Sequence, residues 1–268
     1  MRRNRYRRGR AGGVWLALAL VLVLAAGVGA CQGNGGEEAG RRVSLSATTT
    51  TGGTTGTTAA GPEGRPLPAG GPLEPGRYRT TVFEPAASFR VGPGWEVPVA
   101  ESPASFTLGR DIDPTAPADG KYLAFLRVEE VFTTPMLTDD QLRGSQTKYV
   151  RPVPADLVGW LRRHRYLATS APARVRVGGL PGTRFDVRVK DLPDRPDTCV
   201  DLNPKQCVFL FPFPDSHDAW AEVEGPPSRM YVLDTGRLPL VISVAAPAAE
   251  RAAFLAQAAE VLKTVRFG

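Results

Sequence analysis

Between residues 184 and 190 polar and apolar side chains alternate strictly. Arg184, Asp186, Arg188 and Lys190 interleave with Phe185, Val187 and Val189. A period of two puts one set on each side of a pleated strand, so this segment predicts an antiparallel strand with one wet face. Comparable runs at 78–83, 88–91, 105–108, 174–177, 183–189, 206–211, 230–233 and 238–244 predict further strands. Residues 121–132 predict a longer one, with Tyr122, Ala124, Leu126 and Val128 on one face.

Two segments carry helical spacing instead. Pro154 suits a first-turn position with Asp156 behind it, and Leu157, Trp160 and Leu161 follow. Arg162, Arg163, His164 and Arg165 then place cations at the carbonyl end, where they complement the helix dipole. The second helix is expected to begin near Pro247 with Glu250 in its first turn, and Phe254, Ala258, Val261 and Leu262 form its apolar stripe. Strands outnumber helices and do not alternate with them. The expected fold is therefore α+β, one domain over residues 77–268 with an antiparallel sheet and flanking helices.

The pattern before residue 77 is different. Arg2, Arg3, Arg5, Arg7, Arg8 and Arg10 precede an apolar run over 14–26, and small residues at 27–30 lead to Cys31. This is the layout of a secretory signal, and Val28-Gly29-Ala30-Cys31 reads as a lipobox. Residues 1–30 are expected to be a lipoprotein signal peptide, with Cys31 lipidated and the protein held on the extracytoplasmic face of the cell membrane. A transmembrane anchor over 11–30, about 20 residues and so just long enough to span, and a plain secretory signal are the competing readings. Gly29 and Ala30 favour the lipoprotein, because a spanning helix has no need of them. Residues 31–76 are rich in Gly, Thr and Pro with few large apolar side chains. Such a segment buries too little surface to offset its ordering entropy and is expected to be a disordered tether, a candidate for O-glycosylation. Its reach is about 35–40 Å if it behaves as a Gly-rich coil.

Removing the signal changes the charge and the cysteine count. The formal net charge of +6 comes from 33 basic and 27 acidic residues. Six of the basic ones belong to residues 1–30, which leaves 27 against 27. The basic surface expected of a nucleic-acid binder is absent from that balance. With Cys31 carrying lipid, Cys199 and Cys207 remain as a pair, and an oxidising compartment makes a disulfide the default. Asn203-Pro204 between them is a turn signal. Closing so short a loop is worth on the order of 2.6 kcal/mol in a chain-entropy treatment.

No catalytic motif emerges. There is no G-x-S-x-G, Walker loop, H-E-x-x-H or G-x-G-x-x-G. Ser145 and Lys148 match S-x-x-K, but its partner motifs are missing. Asp111, Asp113, Asp139 and Asp140 do not form a calcium ladder. The spacing of Cys199, Cys207 and His217 fits no zinc pattern, so no metal or cofactor is expected. His164 reads either as part of the basic helix end or as part of an anion-binding patch. Asp215, His217 and Asp218 form a polar cluster that suits an ordinary turn, or a hydrolase acid–base group. A denser signal lies over 191–220, where prolines surround the cysteine pair and Phe209, Phe211, Phe213 and Trp220. Alternating phenylalanines on a strand are ordinarily core. If the pinned loop opens a groove, the same four aromatics would hold an apolar ligand or a partner.

Several landmarks resemble one group of exported proteins of actinobacterial type. They are Phe89-Arg-Val-Gly-Pro-Gly-Trp95, Asp156-Leu-Val-Gly-Trp160-Leu161, Val177-Gly178-Gly179-Leu180-Pro181-Gly182, and the closing Glu260-Val-Leu-Lys-Thr-Val-Arg-Phe267. The domain is also similar to LpqN-like lipoproteins of Mog1/PsbP-like fold, which end in such a helix and short strand. The resemblance implies fold and location and no activity. The functional expectation is a lipid-anchored envelope protein whose domain binds an apolar small molecule or an envelope protein without catalysis. An envelope hydrolase using Asp215, His217 and Asp218, or a structural accessory of an envelope complex, is the alternative.

Overall fold

Segments that are apolar at nearly every inner position become the centre of the largest sheet. In Leu240–Ala245, strand β16, the residues Leu240 to Val244 are all buried. Lys121–Arg127, strand β7, pairs with it antiparallel, Ile242 opposite Phe125. A strand covered on both faces has no reason to alternate. The computed structural model describes residues 64–112, 120–134, 136–138, 141–142, 148–193, 206–213 and 219–268, which fall in one unit of the chain.

Seventeen strands and two helices lie among the described residues, so the fold is a mostly β domain with two helices and leans further toward β than the sequence pattern suggests. The large sheet is antiparallel throughout. Its order is β10 (Leu167–Thr169), β12 (Leu180–Val189), β15 (Ser228–Leu233), β16, β7, β6 (Ser105–Arg110), β5 (Trp95–Val97) and β2 (Gly71–Leu73). β11 (Ala173–Val177) adds to β12 through a two-residue turn. Gly178 and Gly179 fill that turn with φ of +58° and +88°, the left-handed pair that a tight hairpin demands. A second sheet runs β1 (Arg65–Pro66), β3 (Gly76–Arg79), β4 (Ala87–Val91) and β17 (Arg266–Phe267).

The period of two sorts the core into two layers. Leu123, Phe125, Tyr231, Leu233, Ile242 and Val244 face the second sheet and the C-terminal helix α2 (Arg251–Thr264). Phe89, Phe106 and Phe125 stack through this layer at centroid spacings of 5.5 and 4.2 Å, and Phe83 meets Phe106 edge-on at 4.9 Å. Such pairs add about 0.5–1.5 kcal/mol each beyond burial. Ala124, Leu126, Met230, Val232 and Val241 point the other way. They meet Leu157 and Leu161 of α1 (Leu157–Arg163) and a separate hairpin of β13 (Cys207–Pro212) and β14 (Ala219–Val223).

Both helices start later than their prolines suggest. Asp156 is the N-cap of α1, its Oδ1 accepting from the Gly159 N–H at 2.7 Å, so Pro154 lies outside the helix. Glu250 is the N-cap of α2 and makes no side-chain capping bond; its carboxylate pairs instead with Lys121. The long strand expected over 121–132 is broken. Arg127 binds Glu84 and Glu129 at 2.8 and 2.6 Å, and β8 (Glu130–Phe132) leaves to pair with β9 (Val150–Pro152). Among the described residues no helix is long and apolar enough to cross a membrane.

Candidate functional site

The site grows from the β13–β14 hairpin. Cys207 pairs with Val223, Val208 with Glu222 and Phe209 with Ala221, and then the register shifts so that Phe211 sits opposite Trp220. A bulge of one residue at Leu210 turns Phe211 to the face already occupied by Val208 and Leu210. Phe209 stays on the other face with Cys207, where it meets Phe132 at 6.0 Å. Trp220 and Glu222, two residues apart, therefore project together toward the large sheet.

Under them lies a cavity of about 460 Å³. Its floor is the outer layer of the sheet, with Thr107 from β6, Tyr122 from β7, Ala245 from β16 and Ser228 from β15. Trp220 and Glu222 form one wall, and Pro98, Val99 and Pro247 contribute from loops. Val99 is 61% exposed and leaves an apolar lip there. The volume lies within the roughly 300–1,000 Å³ range of small-molecule sites.

Glu222 is the one chemically unusual group on this lining. Only 6% of it is exposed. Ser228 Oγ donates to its Oε2 at 2.7 Å, and Trp220 Nε1 donates to its Oε1 at 3.3 Å. Burial pushes the carboxyl up to about 7, and the two donors only partly counter it. Burial likewise raises the Tyr122 hydroxyl, with a smaller push from the charge of Glu96.

The aromatics singled out by sequence divide. Phe209 and Phe211 are buried core, and Phe213 is a half-buried neighbour of the α1-side layer. Of the four, only Trp220 lines the cavity. Cys207 is buried and disulfide-bonded; Cys199 and Cys31 lie outside the described residues, as do Asp215, His217, Asp218 and Ser145. His164 is the C-cap residue of α1. Burial lowers its pKa, its Nδ1 accepts from the Tyr166 N–H at 3.3 Å, and its ring packs on Trp160 at 5.4 Å. Arg162 and Arg163 are the basic residues of the same last turn. Among the described residues no three His, Cys, Asp or Glu side chains are placed to hold a metal ion.

A second cavity, about 400 Å³, lies between the β4–β5 turn and α2 and carries both Arg90 and Glu260. Opposite charges on its rim and the Arg110 guanidinium already over Trp95, at 5.7 Å, give it no single ligand chemistry. Nothing in the sequence singles out Glu222, because a charged residue on a short strand signals a wet face. Its partner Ser228 lies six residues on, past Gly225-Pro226-Pro227. No family model matches the chain, and no curated protein or solved structure matches it at a significant level.

Proposed function

We propose that the protein is a lipid-anchored lipoprotein on the extracytoplasmic face of the membrane, and that its domain binds an apolar small molecule without transforming it. The observation that carries the binding half is the cavity beneath Trp220, walled by Pro98, Val99, Tyr122 and Pro247. The location half rests on the lipobox at Cys31 and on a mature chain of balanced charge. It agrees with the resemblance to exported lipoproteins, and the finer arrangement, signal peptide then tether then domain, belongs to the same proposal. The tether in it ends before Arg65 and not at residue 76, because β1 and β2 are strands of the domain and Leu67 and Leu73 lie in its core.

An acid–base reading has one observation in its favour, a cavity carboxyl titrating near neutrality. Each of its oxygens is already held by a donor, and Ser228 is itself 3% exposed. Among the described residues no histidine, lysine or arginine lines the cavity beside that pair, and binding is the better account.

The test uses the full mature chain and the neutral fluorophore N-phenyl-1-naphthylamine. One saturable site is expected, weakened by Trp220→Ala while the circular dichroism of the domain is unchanged. Absence of saturable binding overturns the reading. Cross-linking on living cells that recovers a stoichiometric envelope protein seated on Trp220 would transfer the site to a protein partner.

A further inference from the structure

Glu222 is a carboxyl in an apolar wall without a counter-charge. Both of its hydrogen bonds come from neutral groups, Ser228 and Trp220. Among the described residues no cation lies within ion-pair distance of it. The cations next along the strands are engaged elsewhere: Arg229 on Asp186, and Lys121 on Asp111 and Glu250 across the opposite face of the sheet. A buried charge is ordinarily paired, because desolvation otherwise costs more than a few hydrogen bonds restore. The two donors nevertheless hold Glu222 as an acceptor, since each takes one oxygen and each oxygen keeps a free lone pair. What is missing is a cation, and the cavity is the space from which one can come.

Resting on the binding function proposed above, we infer that the ligand is an amphiphile bearing a protonated amine. Its ammonium pairs with Glu222, and its apolar body lies against Pro98, Val99, Tyr122 and Pro247. A charge-assisted hydrogen bond in a dry site is stronger than a neutral one, and it gives the cavity a preference that apolar walls alone cannot give. An alcohol of equal length fills the same volume and donates a weaker bond. A fatty acid of that length brings a second carboxylate beside Glu222 and is repelled. The other titratable groups on the lining are Tyr122 of β7 and Glu224 just beyond β14. The Tyr122 hydroxyl stays neutral over the working range, since burial raises it.

The coupling is also directional in pH. An ammonium binds the ionised carboxylate, so affinity rises as the proton leaves Glu222. With the free carboxyl titrating at about 7, the affinity gain between about pH 5.5 and about pH 8 is roughly 30-fold.

The experiment displaces N-phenyl-1-naphthylamine from the full mature chain with decylammonium, decanol or decanoate. At about pH 8 decylammonium is expected to compete at least about tenfold better than decanol, with decanoate weakest, and the advantage is expected to collapse at about pH 5.5. Glu222→Gln should erase both the advantage of decylammonium over decanol and its dependence on pH. Equal competition by decanol and decylammonium at the higher pH, or an advantage that ignores pH, overturns the inference and leaves the apolar site intact. Failure of the probe itself to bind overturns the proposed function as well. The pH arm needs no substitution, so it decides the matter even where Glu222→Gln does not fold.

Discussion

Ser228 Oγ donates to Glu222 Oε2 at 2.7 Å, tying the inner face of the hairpin strand β14 to the sheet strand β15. The carboxyl so held titrates at about 7 against an ordinary 4.5. Folding therefore raises this acid's pKa, and the folded state keeps a proton that the unfolded chain releases. Its stabilising effect is complete below about 4.5 and is lost as pH rises through about 7. Of a total near 3 kcal/mol, about 2 kcal/mol should disappear between about pH 5.5 and about pH 8. His164 works against it, because burial lowers its pKa and makes acidification destabilising as pH falls below about 6.5. Urea unfolding of the ligand-free protein and of Glu222→Gln at both pH values separates the two. The variant should lose the decline toward high pH and keep the His164 contribution; parallel curves for the two proteins would show that Glu222 is ionised at no cost.

Phe211 and Trp220 face each other across the hairpin but should fail in different ways. Phe211 is 2% exposed and sits in the layer between hairpin and sheet. Truncation to Ala leaves a void that the surrounding strands cannot close, at about 3–5 kcal/mol. Trp220 is only partly buried and borders open space, so Trp220→Ala should cost less than half as much stability yet weaken probe binding. Denaturant midpoints and fluorescence titrations on both variants test the division. Equal stability losses would place Trp220 in the core.

Much of this fold is legible in the sequence, and the losses have physical causes. Strands of five or more residues, such as β6, β7, β12 and β16, show their pattern. β1, β2, β5, β10 and β17 are two or three residues long. A period of two cannot be recognised in so short a run, and backbone pairing alone makes these segments strands. The 207–223 hairpin was visible as aromatic density, but a bulge has no residue signature here. The shift at Leu210 sends Phe209 and Phe211 to opposite faces, although strict alternation would have kept them together. The cavity was invisible for a related reason. Its decisive pair, Glu222 and Ser228, is joined only when β14 folds over β15, and the intervening residues offer nothing but a turn.

Asp186 is the polar joint on the other face of the sheet, one position along β12 from the partner of Ser228. Its carboxylate accepts from Arg229 Nε at 2.8 Å and stands 3.0 Å from Arg251 Nη2, which links β12 to β15 and to the first residue of α2. Burial alone would raise its pKa, but the two guanidiniums outweigh that and hold the carboxyl below its ordinary range. This contribution is present above about 3.8 and is lost on further acidification, outside the window in which Glu222 titrates. Asp186→Asn leaves two partly buried guanidiniums without a counter-charge. A loss of about 1.5–3 kcal/mol is expected in urea unfolding near neutrality. A loss under about 0.5 kcal/mol would reduce the cluster to an ordinary surface ion pair.

The cysteines give the anchoring proposal a test in covalent chemistry. Cys207 is disulfide-bonded, and the chain has only two other cysteines, Cys31 and Cys199. A thiol alkylated by diacylglycerol cannot also form a disulfide. Lipidation of Cys31 therefore requires the bond Cys199–Cys207, and it leaves the mature protein with no free thiol. Intact mass of membrane-extracted protein should show residues 1–30 removed and an acyl-bearing addition on Cys31, with no thiol reacting with iodoacetamide before reduction. Cys31→Ser should abolish cleavage and the added mass while the disulfide persists. Cys199→Ser should leave one free thiol at the buried Cys207, alkylated by iodoacetamide once the protein is unfolded in urea, and leave the lipid in place. Retention of residues 1–30 in the unsubstituted protein, or a free thiol appearing in Cys31→Ser, would exclude the lipoprotein assignment and make Cys31 a disulfide partner or a bystander.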